Sequence, residues 1–402
     1  MNEFFHVLRL QDAARALQER WPQRIAESVP LEACLGRTLA TDLPAHEDLP
    51  PFARSTVDGY AVLSQDVFGA SEGLPAVLQP CGEIEMGVMP PFSISPEQCA
   101  WIPTGGVLPE GADAVVMVEY TEKLGEDTIL VSRPAAPGEN VIFPGEDCRR
   151  GEIALYTGLK IRPQDLGVAA ALGYDQLPVL KPLKVGILST GDEIVPITAQ
   201  PTAGQIRDVN SHMLAAAVRR HGGQPTLYGI VPDEFDRLRE TAALAIQQND
   251  LVLLSGGSSV GMRDLSLRVL QDFEGAELLF HGLSIKPGKP TMGLAIRDRL
   301  VIGLPGHPVS ALMVFETLAG PLLGGPDPVA TAAVLSENVA SQPGRDDFVR
   351  VTLQRQGASI TAVPVYGKAG LIRIMAQADG FVHIPYEKQG LLKGEPVIVR
   401  AL

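Results

Sequence analysis

The chain has 402 residues and a formal charge of −14, from 33 basic and 47 acidic side chains. This length exceeds what one core supports and predicts about two to four domains. The acidic balance argues against a general binder of nucleic acid or anionic membranes. We see no signal peptide and no run of about 18 apolar residues, so we expect a cytoplasmic protein. The cysteines form no Cys-x-x-Cys pair, which argues against a zinc site or a disulfide framework; they are Cys34, Cys81, Cys99 and Cys148.

The pattern of the first 180 residues predicts a helical part that is interrupted by a β-rich insertion. Apolar residues at helical spacing indicate a helix within Phe5 to Trp21, and a second, short helix is expected from Leu31 to Thr41. The prolines at 44, 50 and 51 indicate a linker without regular structure up to Val57. Short β-prone runs then fill residues 55 to 145, and a helix through Leu172 should pack back on the N-terminal helices.

From residue 183 the pattern changes to alternating strands and helices, which indicates a three-layer α/β domain. Asn210 is expected to cap a helix that runs to about His221. A helix is predicted over 308 to 322, and the residues beyond 325 read as short strands of a small β barrel or sandwich. The predicted fold class is multidomain α/β. Its domains are residues 1–45 with 146–180 (discontinuous, helical), 46–145 (β-rich insertion), 181–323 (three-layer α/β) and 324–402 (C-terminal β-barrel-like).

The stretch from Asp250 to Asp264 carries the clearest local sign of a binding site. An apolar strand ends in Gly256-Gly257-Ser258, and Asp264 follows where a helix could begin. Glycines let a ligand approach the backbone, and the free N–H groups of such a turn suit an anionic oxygen. Many turns use Gly-Gly only to reverse direction, so a purely structural role is the alternative.

Three carboxylates also follow predicted strands: Glu193, Asp233 and Asp264. The carboxyl ends of parallel strands meet at one edge, so these acids are expected to share a cleft. Two carboxylates beside a phosphate would repel it unless a divalent cation lies between them, which makes Mg²⁺ the natural companion. Alternatively, these two aspartates only stabilise helix N-termini.

Two further turns offer groups for an anion. Lys286 and Lys289 flank a Pro-Gly turn, and Pro305 and Pro308 bracket the start of a helix that contains Ser310. Lysines in loops are commonly just solvated, and a lone histidine such as His307 usually has no special role. Together the turns suit a phosphate-bearing substrate, a metal and a second small oxyanion. In the β-rich segment Asp58 and Thr104 are polar candidates, although Asp58 before Gly59 also suits a plain turn.

The ordered motifs STVDGYAV, PTGGVLPEGADAVVMVE, STGDEIV, GQIRDVNSHML, SGGSSVGMRD, IKPGKP, GLPGHPVS and GRDDFVRV resemble those of the molybdopterin molybdenumtransferases, the MoeA and gephyrin E-domain family. The resemblance covers essentially the whole chain. It implies an elongated homodimer of four-domain subunits with a molybdopterin-binding α/β domain. It also implies the last step of molybdenum cofactor synthesis, in which adenylylated molybdopterin and molybdate yield the cofactor and AMP with Mg²⁺, and it admits the molybdopterin adenylyltransferase as a partner.

The resemblance also assigns roles to residues of this chain. The catalytic group it implies comprises Asp58, Thr104, Asp147, Glu193, Asp233, Asp264 and Lys286. Of these, Asp233 and Asp264 are the implied Mg²⁺ ligands. The implied substrate-binding group comprises Gly256, Gly257, Ser258, Lys286, Lys289, Pro305, Pro308, Ser310 and Arg345, of which Lys286, Lys289, Ser310 and Arg345 would bind molybdate. Asp58, Thr104 and Asp147 are expected to complete the cleft from a neighbouring domain or the partner subunit.

The chain departs from the family pattern at several positions. His307 replaces an asparagine, Arg373 and Ile374 stand where serines are common, Asp347 replaces a glutamate, and Gly282 stands where some members carry lysine. The central acids and the lysine pair are retained, which favours an active enzyme.

Three other functions remain open from the sequence. A molybdopterin adenylyltransferase would need only the α/β domain, whereas STVDGYAV and PTGGVLPEG belong to the transferase. A non-catalytic scaffold would be expected to lack Asp58, Asp233 or Lys286. A tungstate-inserting enzyme cannot be separated by sequence, because molybdate and tungstate have nearly equal size and charge.

Overall fold

The chain is described by a computed structural model. It covers residues 7–256, 260–325, 328–357 and 359–402, with backbone alone for 260–264. The chain divides into two compact units: one joins the N-terminal segment through Glu27 with Leu180–Leu402, and the other is Ser28–Val179. None of the described helices is both long and apolar enough to span a bilayer. The finer division into four domains stays a prediction.

The elements up to residue 180 are mainly short strands. In chain order they are α1 (Leu10–Glu19), β1 (Ala26–Pro30), β2 (Leu43–Pro44), β3 (Arg54–Ser55), β4 (Gly59–Val62), β5 (Ala76–Glu83), β6 (Gln98–Ile102), β7 (Ala114–Met117), β8 (Thr121–Lys123), β9 (Ile129–Val131), β10 (Val141–Ile142), β11 (Ile153–Leu155), α2 (Pro163–Ala171) and β12 (Gln176–Leu180). Six strands form one sheet in the order β7-β4-β6-β5-β9-β8. Val62, Cys99 and Val116 are buried on one face of it, and Ala61 and Ile102 on the other.

The next segment alternates strands and helices. Its elements are β13 (Lys184–Thr190), β14 (Ile194–Val195), β15 (Ile206–Arg207), α3 (Asn210–Arg220), β16 (Gln224–Val231), α4 (Phe235–Gln248), β17 (Leu251–Gly256), α5 (Val260–Gln271), β18 (Ala276–His281), β19 (Ile285–Lys286), β20 (Met292–Ile296), β21 (Arg299–Leu304) and α6 (Pro308–Val314). The sheet order is β16-β13-β17-β21-β20-β18. The first four strands are parallel, whereas β20 runs antiparallel to both of its neighbours.

Alternation along the strands fills two hydrophobic layers. Ile187 and Leu253 face a core that includes Leu17 of α1, Leu214 of α3 and Phe315. Leu188 and Leu254 face the other core, with Leu238 of α4 and Val269 of α5. Because side chains point alternately to opposite faces of a strand, the continuous apolar runs in the sequence are buried on both sides. The predicted three-layer α/β architecture is therefore confirmed.

The C-terminal residues form a closed barrel. Its elements are β22 (Ala330–Leu335), β23 (Val339–Ala340), β24 (Asp346–Gln356), β25 (Ser359–Pro364), α7 (Ile372–Gln377), β26 (Gly380–Ile384), β27 (Gly390–Leu391) and β28 (Pro396–Ala401). The sheet runs β19-β24-β25-β22-β28-β26 and closes through β24 and β26. The predicted β-barrel-like C-terminal part is confirmed, and β19 adds an outer strand to it.

The first predicted helix is present as Leu10–Glu19, and Leu8 before it pairs with Leu283. Three other local predictions were wrong. The predicted helix over 31 to 41 is only a 3₁₀ turn, Leu31–Ala33. The predicted linker contains two short strands, β2 and β3. The helix predicted over 308 to 322 is α-helical only to Val314, where it becomes a π turn and then a 3₁₀ turn.

Candidate functional site

The carboxyl ends of β13 and β16 carry a connected group of polar residues. Thr190, the last residue of β13, pairs with Val231 of β16, and its hydroxyl donates to Asp233 Oδ1 at 2.6 Å. The Asp192 N–H donates to Asp233 Oδ2, and the Asp233 N–H donates to Asp192 Oδ1, both at 3.2 Å. Asp233 is therefore fixed at the edge of the sheet, as predicted for a residue that follows a parallel strand.

Glu193 lies on the same part of the sheet edge. It is exposed in the turn between β13 and β14, and its Oε2 lies 2.7 Å from where a Cβ on Gly191 would be. The carboxylate thus folds back over the turn that follows Thr190. Since Glu193 and Asp233 follow two hydrogen-bonded strand ends, the structure brings these two predicted acids to one edge.

The glycine turn after β17 is described only at its first residue. Gly256 has φ +145°, and a Cβ there would lie 1.9 Å from the Thr190 carbonyl oxygen. The close approach of β13 therefore requires a glycine here, whatever the ligand. Gly257 and Ser258 lie outside the described residues, as does the side chain of Asp264. The backbone places Asp264 inside α5, four residues after its start at Val260, rather than at the helix beginning that the sequence suggested.

A small cavity of about 90 Å³ joins the ends of β17 and β21. Gly256, buried Pro305 and exposed His307 line it. Pro308 is the first residue of α6 and follows His307 directly. The cavity puts two of the predicted substrate-binding residues, Gly256 and Pro305, together at this edge.

The four residues predicted to bind an oxyanion line one cavity of about 420 Å³: Lys286, Lys289, Ser310 and Arg345. Gly288, within the turn that carries the lysines, has φ +116°, and a Cβ there would lie 2.3 Å from Val314 Cγ2. The Lys-Pro-Gly-Lys turn thus packs closely on α6, which carries the buried Ser310.

Asp347 orients the arginine of this cavity. The Arg345 Nε and Nη2 donate to the two Asp347 carboxylate oxygens at 2.7 and 3.3 Å. Asp347 is only 3% exposed and is the register partner of Lys286, because β19 runs parallel to β24. Two lysines and one arginine line the cavity, and Asp347 offsets only the charge of the arginine, so the site remains cationic and suits a dianion.

Asp58 and Thr104 form a polar pair in the other unit. Asp58 Oδ1 accepts the Thr104 N–H at 2.7 Å and its hydroxyl at 2.9 Å. The backbone N–H and then the hydroxyl of Thr104 hold the pKa of Asp58 below its usual value. Asp147 is exposed on the turn after β10, and its N–H donates to the Leu49 carbonyl. The structure thus joins two of these three predicted residues within the unit.

The sequence analysis missed residues that support the sheet edge. Thr190 and Asp192 hold Asp233, as described above. Asn210 was expected to cap α3, but it is the first helical residue, and its Nδ2 donates to Ser255 Oγ at 2.7 Å and to the Gly306 carbonyl at 2.8 Å. It therefore links the ends of β17 and β21. In the sequence, only its place in the motif GQIRDVNSHML pointed to a role for Asn210. Its hydrogen-bond partners could not be predicted, because they lie 45 and 96 residues away.

Within the described part of the chain, no group of three or more His, Cys, Asp or Glu side chains could hold a metal ion. Asp233 is the one predicted metal ligand whose side chain is described. Its oxygen donors suit Mg²⁺, which usually takes one or two carboxylates and completes its shell with water and substrate phosphates. The donor set therefore fits a magnesium ion that is shared with a phosphate-bearing substrate.

Family profiles match nearly the whole chain. The profile described as "MoeA N-terminal region (domain I and II)" matches residues 8–173. "Probable molybdopterin binding domain" matches residues 186–325, and "MoeA C-terminal region (domain IV)" matches residues 332–402.

Full-length relatives and solved structures agree with these profiles. The chain is 31% identical to a Bacillus subtilis molybdopterin molybdenumtransferase, over 97% of this chain and 93% of the relative. It is 32% identical to a putative molybdopterin biosynthesis protein of Methanocaldococcus jannaschii, over 99% and 98%. The crystal structure of a molybdopterin biosynthesis protein from Pyrococcus horikoshii superposes with a TM-score of 0.86 at 31% identity, covering 98% of this chain and 100% of that one.

Proposed function

Since the chain belongs to the MoeA family, we propose that it is a molybdopterin molybdenumtransferase. It would take adenylylated molybdopterin and molybdate and release the molybdenum cofactor and AMP. The observation that carries this proposal is that Lys286, Lys289, Ser310 and Arg345 line one cavity. Full-length relatives that bear this activity in their names support it.

The cationic cavity is the proposed molybdate site. Molybdate is a tetrahedral dianion, so it is bound best by several donors that point at one place. Lys286 and Lys289 supply ammonium groups, Ser310 a hydroxyl, and Arg345 the edge of a guanidinium that Asp347 already orients. The two dithiolene thiols of molybdopterin would replace one oxo group of molybdate here, and that oxygen would leave as water with the two thiol protons.

The edge of the α/β sheet is the proposed site for the adenylylated end of the substrate. Gly256, Gly257, Ser258, Pro305 and Pro308 would bind the nucleotide and pterin. Glu193, Asp233 and Asp264 would orient a water molecule toward the phosphoanhydride, whose cleavage yields AMP. Asp58, Thr104 and Asp147 remain proposed members of the catalytic group.

We propose Mg²⁺ as the cofactor, with Asp233 and Asp264 among its ligands. When bound, the ion would neutralise charge on the phosphate oxygens. Asp233 can serve it because Thr190 and the Asp192 N–H hold its carboxylate in place. We also propose that the chain acts as a homodimer and that the molybdopterin adenylyltransferase hands it the substrate.

The direct test is AMP release. Purified protein with adenylylated molybdopterin, molybdate and Mg²⁺ should release one AMP for each cofactor formed, and omission of molybdate should abolish cofactor formation. No AMP release at any Mg²⁺ or molybdate concentration would contradict the proposal and favour a binding scaffold. The same assay with tungstate shows which oxyanion the protein prefers. If the cofactor forms faster with tungstate than with molybdate, tungstate becomes the proposed substrate.

A further inference from the structure

Asn210, the first residue of α3, joins two segments that line one cavity. It is only 8% exposed, and its Nδ2 donates to Ser255 Oγ at 2.7 Å and to the Gly306 carbonyl at 2.8 Å. Ser255 directly precedes Gly256, and both Gly256 and Gly306 line the cavity of about 90 Å³, whereas Asn210 and Ser255 do not. The amide therefore connects the two sides of the cavity from outside its lining.

The Gly306 carbonyl determines which way the amide of Asn210 points. A carbonyl oxygen only accepts hydrogen bonds, so the Nδ2 must face it, whereas the Ser255 hydroxyl could serve either end of the amide. The reverse orientation would give the Asn210 Oδ1 a donor in that hydroxyl, but it would place Oδ1 against the Gly306 oxygen. Among the described residues, no donor reaches Oδ1 in the orientation that the structure shows. The bond to Gly306 thus outweighs the pairing of Oδ1.

The start of α3 is itself fixed to the end of β13. Buried Asp208 accepts the Ser189 hydroxyl at 2.9 Å and the Ser211 N–H at 3.1 Å, both on Oδ1. Ser211 Oγ also lies 2.8 Å from Ser189 Oγ. Ser189 precedes Thr190, whose hydroxyl holds Asp233. Because β13, β17 and β21 are neighbours in the sheet, the start of one helix ties together three adjacent strand ends.

We propose that Asn210 is a positioning residue for the adenylylated substrate. It holds Gly256 and Gly306 at a fixed separation, beside the strand end that carries Asp233. A cavity wall that is fixed before the ligand arrives does not have to be ordered on binding, which raises affinity. The inference rests on the proposed function, because it assigns this cavity to the nucleotide and pterin end of the substrate. Asn210 acts through its neighbours, so its loss should weaken binding and leave the chemical step unchanged.

The test compares Asn210→Ala with the unmodified chain in AMP binding, measured by calorimetry, and in AMP release from adenylylated molybdopterin. We expect the Kd for AMP and the KM for adenylylated molybdopterin to rise about tenfold, while kcat stays within about twofold. Loss of a catalytic acid such as Asp233 would instead lower kcat. Ser255→Ala removes one of the two bonds and should raise both constants about threefold. Thermal unfolding identifies a variant that fails to fold, and if Asn210→Ala does so, Ser255→Ala decides.

Asn249→Ala is the matched control. Asn249 is 2% exposed, and its Nδ2 also donates two hydrogen bonds, to the Tyr228 hydroxyl at 2.7 Å and to the Ala245 carbonyl at 2.8 Å. It precedes β17 and so lies at the opposite edge of the sheet. Asn249→Ala should lower the free energy of unfolding by an amount similar to that of Asn210→Ala, and it should leave the Kd for AMP unchanged.

Three results would overturn the inference: an Asn210→Ala variant that binds AMP as tightly as the Asn249→Ala control, a fall in kcat at constant KM, or no AMP binding to the unmodified chain. The first two would leave AMP release by the unmodified chain, and hence the proposed function, intact. AMP binding without any AMP release by the unmodified chain would contradict the proposed function, and the comparison of Kd values would still decide the role of Asn210.

Discussion

Asp233 reaches the sheet edge with both carboxylate oxygens already hydrogen-bonded, one by Thr190 and one by the Asp192 N–H. Such contacts fix the direction of the carboxylate before any ligand arrives, which lowers the cost of placing it in a reaction. Because oxygen accepts more than one hydrogen bond or metal contact, the engaged carboxylate can still serve a metal or a water molecule.

Replacing Asp233 with asparagine removes the negative charge of the side chain but keeps its size and shape. In Asp233→Asn the side-chain oxygen can still accept from Thr190, but the negative charge and the bond from the Asp192 N–H are lost. We expect AMP release to fall about 100-fold or more, with folding intact. Asp236→Asn, at an exposed acid in the first turn of α4, is the control and should keep the rate of the unmodified chain. Near-normal AMP release by Asp233→Asn would remove Asp233 from the catalytic group.

Asp58 makes a prediction about pH. Thr104 holds the Asp58 pKa below the usual 3.8. A carboxyl whose folded-state pKa is depressed contributes stability that is present above the unfolded pKa and is lost as the pH falls through the folded pKa. In Thr104→Val one of the two hydrogen bonds is lost, so the Asp58 pKa should rise toward the usual value, and protonation should begin at higher pH.

An NMR titration of the Asp58 carboxyl carbon measures this shift. Thr128→Val, a substitution in the same unit away from Asp58, is the control and should leave the titration unchanged. An Asp58 pKa that is equal in the Thr104→Val variant and the unmodified chain would show that the hydroxyl contributes nothing.

Side-chain partners were the least predictable level of the site. The acids and lysines could be picked out because their positions follow predicted strands or a proline-bounded turn. The Asn210 bonds to Ser255 and Gly306 depend on segments far away in sequence. No local pattern encodes them.

At the scale of elements, the site depends on how closely neighbouring strands approach. Gly256 ends β17 where a Cβ would meet the backbone of Thr190, the residue whose hydroxyl holds Asp233. The pairing of β13 with β17 therefore places Gly256 directly against the strand end that positions Asp233.

Gly256→Ala should therefore destabilise the fold as well as the site. A Cβ placed 1.9 Å from a carbonyl oxygen at φ +145° requires the strands to separate, at a cost of about 2–4 kcal/mol. Gly222→Ala is the matched control, because Gly222 has φ +77° and open space around its Cβ position; it should cost about 1 kcal/mol from backbone strain alone. Urea unfolding measures both. If both substitutions lower the free energy of unfolding equally, the close contact between β13 and β17 does not contribute to the cost at Gly256.

Long periodic elements were predicted well, and short ones were not. The α4 core residues Leu238, Ala242, Ala245 and Ile246 are buried as the spacing predicted. The helix expected over 31 to 41 fails because its backbone groups bond elsewhere: the Gly36 N–H donates to the Ile161 carbonyl and the Leu39 N–H to the Leu159 carbonyl. Tertiary pairing there outweighs a weak local preference for helix.

Across the whole chain, the proposed molybdate site needs segments that are about sixty residues apart. β19 carries Lys286 out of the α/β sheet and joins the barrel through β24, where Asp346 and Asp347 are its register partners. The fold class and the family could be predicted because ordered motifs mark these segments. The cavity itself could not, since its shape comes from the pairing of β19 with β24 and from the packing of Gly288 on α6.

The central claim is that these segments make one site for molybdate beside a site for the nucleotide. Crystals soaked with AMP, Mg²⁺ and molybdate, with diffraction recorded at the molybdenum absorption edge, test it most directly. The account predicts a molybdenum peak within hydrogen-bond reach, about 3 Å, of the Lys289 ammonium and the Ser310 hydroxyl, with the AMP phosphate at the strand ends that carry Asp233. AMP bound on another surface, or no molybdenum at Lys289 and Ser310, would contradict it.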